Sequence, residues 1–410
     1  MHIPRLITTS ILVLCLCHCA MAADSSFNVK DFGAIGDGKA DDTAAIQAAL
    51  TKAKDAGRGS SVTMPAGEYR VTKTLTIENC LLTGLSNGGW PADRGPMPTF
   101  RVDHTDGPCI LAKDAASLHG LNFQYDHKGE QARKFGPAVL LSGNGISVTN
   151  LRIAEPYEGI MADGTTNVGR LNIENVFIIS ARNCGVYVTN TFDIPTLRNI
   201  EVWNPAPYSL QHCVGFKLGR NDEIRMTNCF AFACKVGFLF VKEKEGATWG
   251  GMTGCSVDFS VEGVVIEEVE SLRINGGCLW AHATSLRVAG PGRVVVSGAD
   301  LKSNGDAALI VRDCTSLTLT GCAIGKSGAS WPTVPAAKLE GGKSVLVNAC
   351  TFDALGPGIV VGKNMSYFSI MDNVFQPSPF ETLADNSGPS ATKVIANNLS
   401  KKISPQPTSK

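Results

Sequence analysis

A short phrase that alternates apolar and polar residues recurs along the chain at intervals of 21 to 30 residues. Copies read RMTNCFAF at 225–232, MTGCSV at 252–257, LTGCAI at 319–324 and VNACTF at 347–352. Before the central apolar position, eleven of twelve aligned residues are Asn or Gly: Gly120, Asn150, Asn175, Asn199, Asn228, Gly254, Gly277, Gly298, Gly321, Asn373 and Asn398, with Ala349 as the twelfth. Because Asn and Gly enter the left-handed backbone region at low cost, we expect each repeat to turn sharply here.

The position after this turn is apolar in every copy: Leu121, Leu151, Val176, Ile200, Cys229, Cys255, Cys278, Ala299, Cys322, Cys350, Val374 and Leu399. Cysteine shares the slot with Leu, Ile and Val, so we expect its side chain to face a core. Stacking of neighbouring coils would allow Cys229–Cys255 and Cys322–Cys350 disulfides. The shared apolar column favours buried thiols instead.

A second strand, led by glycine, follows the phrase in many repeats, as in GIMAD at 159–163, GVYVT at 185–189 and GFKLG at 215–219. Alternation places the second and fourth residues inside and the third and fifth outside. Short strands with an Asn/Gly turn in each repeat predict an all-β, single-stranded parallel β-helix of about 12 coils. A leucine-rich repeat is the rival fold, but it needs a helical or leucine-lined second half.

Residues 27–57 predict a cap over the first coil, whose sheet edge would otherwise be open. Asp42 is the expected N-cap of a helix that ends at Gly57. The apolar stripe of this helix consists of Ala45, Ile46, Ala49 and Leu50. We therefore divide the chain into a cap at 23–60, a parallel β-helix domain at 61–399 and a disordered tail at 400–410.

The segment VKDFGAIGDGKADDTAAIQAAL followed by VTMPAGEYRV resembles the opening of the pectate lyase superfamily. That superfamily of right-handed parallel β-helices includes polygalacturonase-like hydrolases and phage tailspikes, so the resemblance implies the same handedness here. The polygalacturonase motifs N-T-D, D-D, G-H-G and R-I-K are missing from the coils, as is the W-I-D-H signature of calcium-dependent pectate lyases. The resemblance therefore implies the fold and leaves the chemistry open.

The N-terminus has the pattern of an export signal, with Arg5, the apolar stretch 6–20 and the small-residue site AMA at 20–22. We expect a signal peptide at 1–22 and a secreted protein, extracellular or periplasmic. The formal net charge is zero, with 37 basic and 37 acidic residues, so no basic field indicates nucleic acid as a partner. No other stretch predicts a transmembrane segment, and the sequence leaves the oligomeric state unknown.

Ionisable residues collect at outward positions and following loops of the coils between 155 and 268. From them we select three candidate catalytic residues, Asp163, Lys217 and Glu267. A glycosidase needs two carboxylates, which Asp163 with Asp193 could supply, or Glu243 or Glu245 with Glu267 or Glu268. A lyase needs cations to hold a uronate, with Tyr187 or a lysine as acid or base. Solvated surface charges would give the same pattern.

The loop at 201–213 is Pro-rich and leads into the strand that contains Lys217, so its aromatic side chains are the expected substrate wall. The candidate substrate-binding residues are Tyr187, Trp203, Tyr208, His212, Arg220, Lys242 and Glu243. Two further aromatic loops, 86–100 and 328–335, carry Trp90 and Trp331. No spacing is typical of a metal site, although the acidic group could hold calcium.

These observations predict a secreted carbohydrate-active protein that cleaves an acidic polysaccharide as a polysaccharide lyase or glycoside hydrolase. The alternative is a non-catalytic β-helix that binds glycans or serves as a structural rod, which the missing family signatures favour. The polysaccharide is the expected partner, and no cofactor is certain.

Overall fold

The computed structural model describes residues 25–57, 59–86, 97–126, 133–205, 207–326, 334–353 and 356–401. The signal-peptide prediction, most of the tail, Trp90 and Trp331 lie outside these ranges. Strands account for 53% of the structure and helices for 6%, and the strands form a parallel β-solenoid of about 13 turns. The predicted fold is confirmed.

Each complete coil contains three strands, and all pairings between named strands are parallel. Sheet A comprises Ser26–Asn28, Ser61–Thr63, Leu81–Thr83, Ser117–His119, Ile224–Thr227, Trp249–Thr253, Ser271–Asn275, Arg293–Ser297, Ser316–Thr320, Val345–Asn348, Tyr367–Met371 and Thr392–Ala396. Sheet B comprises Asp37–Asp41, Gly67–Val71, Pro98–Val102, Asn122–Tyr125, Phe230–Phe232, Asp300–Ser303, Ala323–Lys326, Thr351–Asp353 and Val374–Phe375.

Sheet C comprises Leu75–Ile77, Ile110–Ala112, Val139–Leu141, Glu158–Ala162, Cys184–Val188, Val214–Leu218, Val236–Phe240, Leu309–Val311, Ala337–Gly342, Ile359–Met365 and Leu383–Asp385. Ser147–Ala154, Asn172–Ile179 and Thr196–Trp203 each run through sheets A and B, and Ser256–Ile266 and Cys278–Val288 through sheets B and C. The chain thus visits A, B and C in order, with an A-to-B, a B-to-C and a C-to-A corner in each coil.

The Asn/Gly column lies at the A-to-B corner, and ten of its twelve members have positive φ, from 51° at Ala349 to 90° at Gly277. The exceptions are Asn373 and Asn398, because the left-handed residues in those coils are Asp372 and Asn397.

This shift by one residue corrects part of the predicted core column. Asn373 is fully buried, whereas Val374 and Leu399 are 43% and 67% exposed. Cys278 is exposed for the same reason: Gly276 also has positive φ, and Cys278 pairs with outward Asp300. The Asn373 side chain accepts a hydrogen bond from the Cys350 amide (2.9 Å) and donates to the Val347 carbonyl (3.0 Å).

The core is a stack of apolar side chains that repeats from coil to coil. The rings of Phe216 and Phe238 stack in parallel with their centroids 4.6 Å apart. Cys229 and Cys322 are 0% and 2% exposed, which confirms their predicted inward direction. All eleven cysteines of the described residues are free thiols, so the two candidate disulfides are not formed.

The cap is a helix at Thr43–Ala56 (α1), whose residues Ile46, Ala49 and Leu50 are buried. Asp42 occupies the N-cap position, but its carboxylate accepts hydrogen bonds from the amides of Ile35 (2.6 Å) and Gly36 (3.1 Å) rather than from the helix. Asp41 accepts from the Thr43 amide instead (3.1 Å).

The same helix provides hydrogen-bond partners for the first strand of sheet C, whose outer edge no other strand of the described residues covers. The side chain of Gln47 accepts a hydrogen bond from the Thr76 amide (2.9 Å) and donates to the Thr76 carbonyl (3.2 Å), as a neighbouring strand would. This pairing covers backbone groups that would otherwise offer an edge for association. Two other short helices lie at Val29–Phe32 and Ser209–His212. Within the described residues, no helix combines the length and apolar character that a membrane span requires.

Candidate functional site

Three ionisable side chains meet on the outer face of sheet C. Tyr187 and Lys217 are register partners on adjacent strands, and the Lys217 ammonium lies 4.5 Å from the centroid of the Tyr187 ring. Glu243 comes from the following C-to-A corner, where a tight turn pairs it with Gly246. Its Oε1 accepts a hydrogen bond from the Tyr187 hydroxyl (2.8 Å) and lies 3.3 Å from Lys217 Nζ. We call Tyr187, Lys217 and Glu243 the sheet C cluster.

The environment of Tyr187 favours its neutral form. Burial of the ring is the main factor that raises the pKa of its hydroxyl, and the hydrogen bond to the Glu243 carboxylate adds to it. Both effects oppose a phenolate, because a second negative charge would lie against Glu243 in a partly dry site. Tyr187 is therefore a protonated donor at neutral pH.

An open pocket of about 540 Å³ adjoins this cluster at the C-to-A corner. Tyr187 and Glu243 form one side, and Arg220 and Phe192 form another. The Arg220 guanidinium lies 4.9 Å from the Phe192 ring centroid, and its Nη1 donates to Asp222 Oδ1 (2.6 Å) and to the Thr191 carbonyl (3.3 Å). We call this space the corner pocket. It joins a fixed arginine, a phenol and a carboxylate.

Asparagine side chains hold the loops of the corner pocket. Asn221 is fully buried and bonds to Thr191 Oγ1 (3.0 Å), the Val188 carbonyl (3.1 Å) and Thr248 Oγ1 (3.1 Å). Asn167 Oδ1 accepts hydrogen bonds from the Gly169 and Phe192 amides. Sequence analysis missed these residues because they lie in loops, where no strand periodicity marks them.

Of the three candidate catalytic residues, only Lys217 belongs to the sheet C cluster. The Asp163 carboxylate accepts hydrogen bonds from the amides of Thr165 (2.8 Å) and Thr166 (3.0 Å), so it stabilises its own turn beside the pocket. Glu267 is exposed and follows a strand four coils further on. At about 4.8 Å per coil, roughly 19 Å separates the backbones at Asp163 and Glu267, too far for a glycosidase pair.

The other proposed carboxylate pairs are held by basic side chains. Asp193 forms an ion pair with Arg170 (2.6 Å), and Glu268 forms one with Lys242 (2.8 Å). Lys242 is itself more than half exposed. The carboxylates that line the corner pocket are Glu243 and Glu245, and Glu245 lies 3.9 Å from Lys244. This arrangement offers no evident acid and nucleophile pair.

The predicted aromatic wall divides between two places. Trp203 is at the end of a sheet B strand and stacks on Phe232, with centroids 5.9 Å apart. Tyr208 and His212 lie at the B-to-C corner, 4.6 Å apart, and Arg182 lies 5.6 Å from the Tyr208 ring. None of these three predicted residues lines the corner pocket, which is at the C-to-A corner.

Two residues that the alternation places outside are buried: Thr189, the fifth residue of GVYVT at 185–189, and Val265, the third residue of GVVIE at 263–267. Thr189 is 3% exposed because its hydroxyl accepts a hydrogen bond from the Arg220 amide (3.0 Å), so the next loop covers it. Val265 is 1% exposed, between Leu239 and Arg287 on the adjacent strands. Among the residues that the structure describes, no three His, Cys, Asp or Glu side chains are grouped to hold a metal ion. The calcium hypothesis remains a prediction.

Comparison with known proteins matches the N-terminal part of the chain. Residues 26–91 match the family model described as rhamnogalacturonase A/epimerase, pectate lyase-like. Mannuronan C5-epimerase AlgE3 of Azotobacter vinelandii is 70% identical over 61 residues, which are 15% of this chain and 3% of the epimerase. Alginate lyase 7 of the same organism is 65% identical over 46 residues, which are 11% of this chain and 5% of the lyase.

The solenoid is similar to the pre-mature gene product 12 of bacteriophage phi29, with a TM-score of 0.62 and 14% identity. That alignment covers 90% of this chain and 56% of the phage chain, and at this identity it shows the fold alone. The pectate lyase-like match is thus confined to residues 26–91, and the rest of the chain shares the parallel β-helix fold.

Proposed function

We propose that the protein is a secreted polysaccharide lyase that acts on a polyuronate at the corner pocket. The observation that carries this proposal is the sheet C cluster: a protonated phenol, an ammonium and a carboxylate in contact, beside a pocket with an ordered arginine. The N-terminal relatives are named for mannuronan and alginate, which are polyuronates, and this supports the substrate class.

The proposed reaction is a β-elimination. The C5 proton passes to the Glu243 carboxylate, the electron pair of that bond forms the C4–C5 double bond, and the C4–oxygen bond breaks. Tyr187 donates its proton to the departing oxygen, and Glu243 returns the C5 proton to Tyr187. Arg220 binds the uronate carboxylate, which acidifies C5, and the Lys217 ammonium stabilises the negative charge that develops.

A glycoside hydrolase is less well supported. Hydrolysis needs one carboxyl as acid and a second as nucleophile or base. Glu243 accepts a hydrogen bond from Tyr187 and forms an ion pair with Lys217, an arrangement that suits a base rather than the protonated acid of a hydrolase, and Glu245 lies beside Lys244. The pocket is better suited to a uronate than to a neutral sugar, because Arg220 and Lys244 are charged donors at its wall.

The test is to incubate the mature chain with polymannuronate and follow ultraviolet absorbance, reducing ends and solvent deuterium at C5. A lyase yields absorbance and reducing ends together. Reducing ends without absorbance would indicate a hydrolase and overturn the elimination. Deuterium at C5 without chain cleavage would indicate epimerisation, and binding without any product would favour the non-catalytic alternative.

A further inference from the structure

A band of aromatic rings crosses successive coils on the outer face of sheet B. Trp203 stacks on Phe232 at 5.9 Å, Phe232 on Phe259 at 5.8 Å, and Phe259 meets His282 edge-to-face at 4.4 Å. Trp280 lies on the neighbouring strand and pairs in register with Lys302. We call Phe259, Trp280, His282 and Lys302 the aromatic surface, which Trp203 and Phe232 support from one side.

Two of these rings remain open to solvent. Phe259 is 49% exposed and Trp280 is 39% exposed. Between them lies a shallow pocket of about 130 Å³, to which Asp258, His282 and Lys302 add polar groups. Exposed rings beside a few hydrogen-bonding groups are the usual lining of a small-molecule site.

The choice of a large aromatic residue at position 259 is unusual for its backbone conformation. Phe259 has φ of 55° at the B-to-C corner, where earlier coils place Glu155, Ser180 or Ala233 in the same left-handed conformation. A bulky side chain is uncommon there, and the conformation costs about 1–2 kcal/mol relative to the right-handed one. The corner conformation belongs to the fold, but a large exposed ring where other coils have Glu155, Ser180 or Ala233 supports the hypothesis that this ring is placed for contact with a ligand.

The charges around the rings indicate which ligand fits. The Lys302 ammonium lies 4.7 Å from the Trp280 ring centroid, and within the described part of the chain it forms no ion pair. An open cation over a ring suits an anionic sugar, whose carboxylate faces the ammonium while its carbon-bonded hydrogens face the aromatic rings. Asp258 can accept hydrogen bonds from hydroxyl groups. Coils spaced about 4.8 Å apart also match the length of a sugar unit.

We propose that the aromatic surface binds a segment of polyuronate outside the catalytic pocket. It lies on sheet B and the B-to-C corner, whereas the corner pocket lies at the C-to-A corner of earlier coils. The class of polymer rests on the proposed function, but the existence of the surface does not. Such a surface holds the long polymer and raises its local concentration near the pocket.

Affinity electrophoresis of the intact chain in native gels that contain polymannuronate tests this proposal, with hydroxyethyl cellulose as the neutral probe. We expect Phe259→Ala and Trp280→Ala each to weaken polymannuronate binding roughly tenfold. Lys302→Ala should weaken polymannuronate binding while any retardation by the neutral probe is unchanged. Val295→Ala, an equally exposed apolar residue on sheet A, is the matched control and should bind like the parent.

Circular dichroism and the thermal midpoint establish that each variant is folded. If polymannuronate retards the Phe259→Ala, Trp280→Ala double variant as strongly as the parent, the proposal that the aromatic surface binds polymer is wrong. If hydroxyethyl cellulose retards the parent more strongly than polymannuronate does, the proposal that the ligand is anionic is wrong. The readout needs no turnover, so a chain that binds but yields no product contradicts the proposed function alone. Product formation with unaltered binding in the double variant contradicts this inference alone.

Discussion

The corner pocket and the aromatic surface are built on the same scaffold from different chemistry. In the pocket, Tyr187, Lys217 and Glu243 hold one another through hydrogen bonds and an ion pair, and Asn221 fixes the loops from below. On the aromatic surface, Phe259 and Trp280 are exposed; Phe259 packs against Phe232 and His282, whereas Trp280 lies beside Lys302 and donates a hydrogen bond to Asp300 (3.3 Å). Interlocked polar groups suit proton transfer, whereas exposed rings suit binding. The scaffold permits both because the inward-facing residues of each strand do not constrain the outward ones.

Of the variants considered, Tyr187→Phe should have the largest effect. The effect should be on catalysis at the corner pocket and should leave binding at the aromatic surface unchanged. Loss of the hydroxyl removes the proposed proton donor, so kcat on polymannuronate should fall about 10²–10⁴-fold. Tyr367→Phe, which removes a hydroxyl from sheet A, is the matched control. Initial rates of ultraviolet absorbance measure both. A Tyr187→Phe protein with the parent's kcat would show that the sheet C cluster is structural. The two regions would then no longer differ as a catalytic site and a binding site.

Asn221→Ala should have the largest effect on stability. Its side chain satisfies buried groups at Thr191, Val188 and Thr248, and these would lose their partners in a dry corner. We expect a loss of about 3 kcal/mol in the free energy of unfolding, measured by urea titration. Asn275→Ala is the control, because Asn275 is exposed and accepts from Ser297 Oγ (2.8 Å). It should cost less than about 1 kcal/mol. Equal losses in the free energy of unfolding for the two variants would mean that the hydrogen bonds of Asn221 stabilise the pocket loops no more than a surface hydrogen bond would.

Much of the scaffold could be predicted because one backbone requirement recurs visibly. Asn and Gly mark a left-handed corner, and ten of the twelve assigned positions have positive φ. The prediction slipped where two adjacent residues could both occupy that corner, as at Gly276 and Gly277. A one-residue slip turns a side chain to the other face, and Cys278 is exposed for this reason.

The candidate site was only partly predictable from the sequence. Tyr187 and Lys217 could be placed together because strand register follows the repeat. Glu243 reaches them through a tight turn at Gly246, and Asn221 acts from a loop. Neither contact therefore follows the repeat of the coils, and the sequence pattern could not predict it. Trp203 was assigned to the substrate wall because it is close to Lys217 in sequence. The B-to-C corner between them instead places the two side chains on different sheets.

Asp163→Asn tests whether the wall of the corner pocket depends on a charged turn. Burial opposes ionisation of this carboxyl, but hydrogen bonds from the Thr166 amide, the Ser142 hydroxyl and Thr165 outweigh it and lower the pKa below 3.8. A lowered folded-state pKa stabilises the fold above the unfolded-state pKa and is lost as pH falls through the folded value. We expect a cost of about 1 kcal/mol at pH 7 that shrinks as the pH falls below the unfolded-state pKa of 3.8.

Urea titrations of parent and variant at pH 7, 5 and 3 measure this difference. Asp313→Asn, at an exposed carboxyl in a later coil, is the control and should change the free energy of unfolding by less than about 0.5 kcal/mol. A cost for Asp163→Asn that stays constant down to pH 3 would show that the carboxyl contributes shape rather than charge. The wall of the corner pocket would then depend on packing, as the aromatic surface does, and not on a charged group.

The smallest expected effect separates the backbone at Phe259 from its ring. Phe259→Gly and Phe259→Ala both remove the ring, so both should lose polyuronate binding, but only glycine relieves the left-handed conformation. The glycine variant should therefore be more stable than the alanine variant by about 1 kcal/mol, measured by thermal unfolding. Phe232, the last residue of the sheet B strand Phe230–Phe232, gives the control with the opposite sign, because glycine is unfavourable in a strand. If alanine were the more stable residue at both positions, Phe259 would carry no strain, and its exposure alone would have to support the aromatic surface.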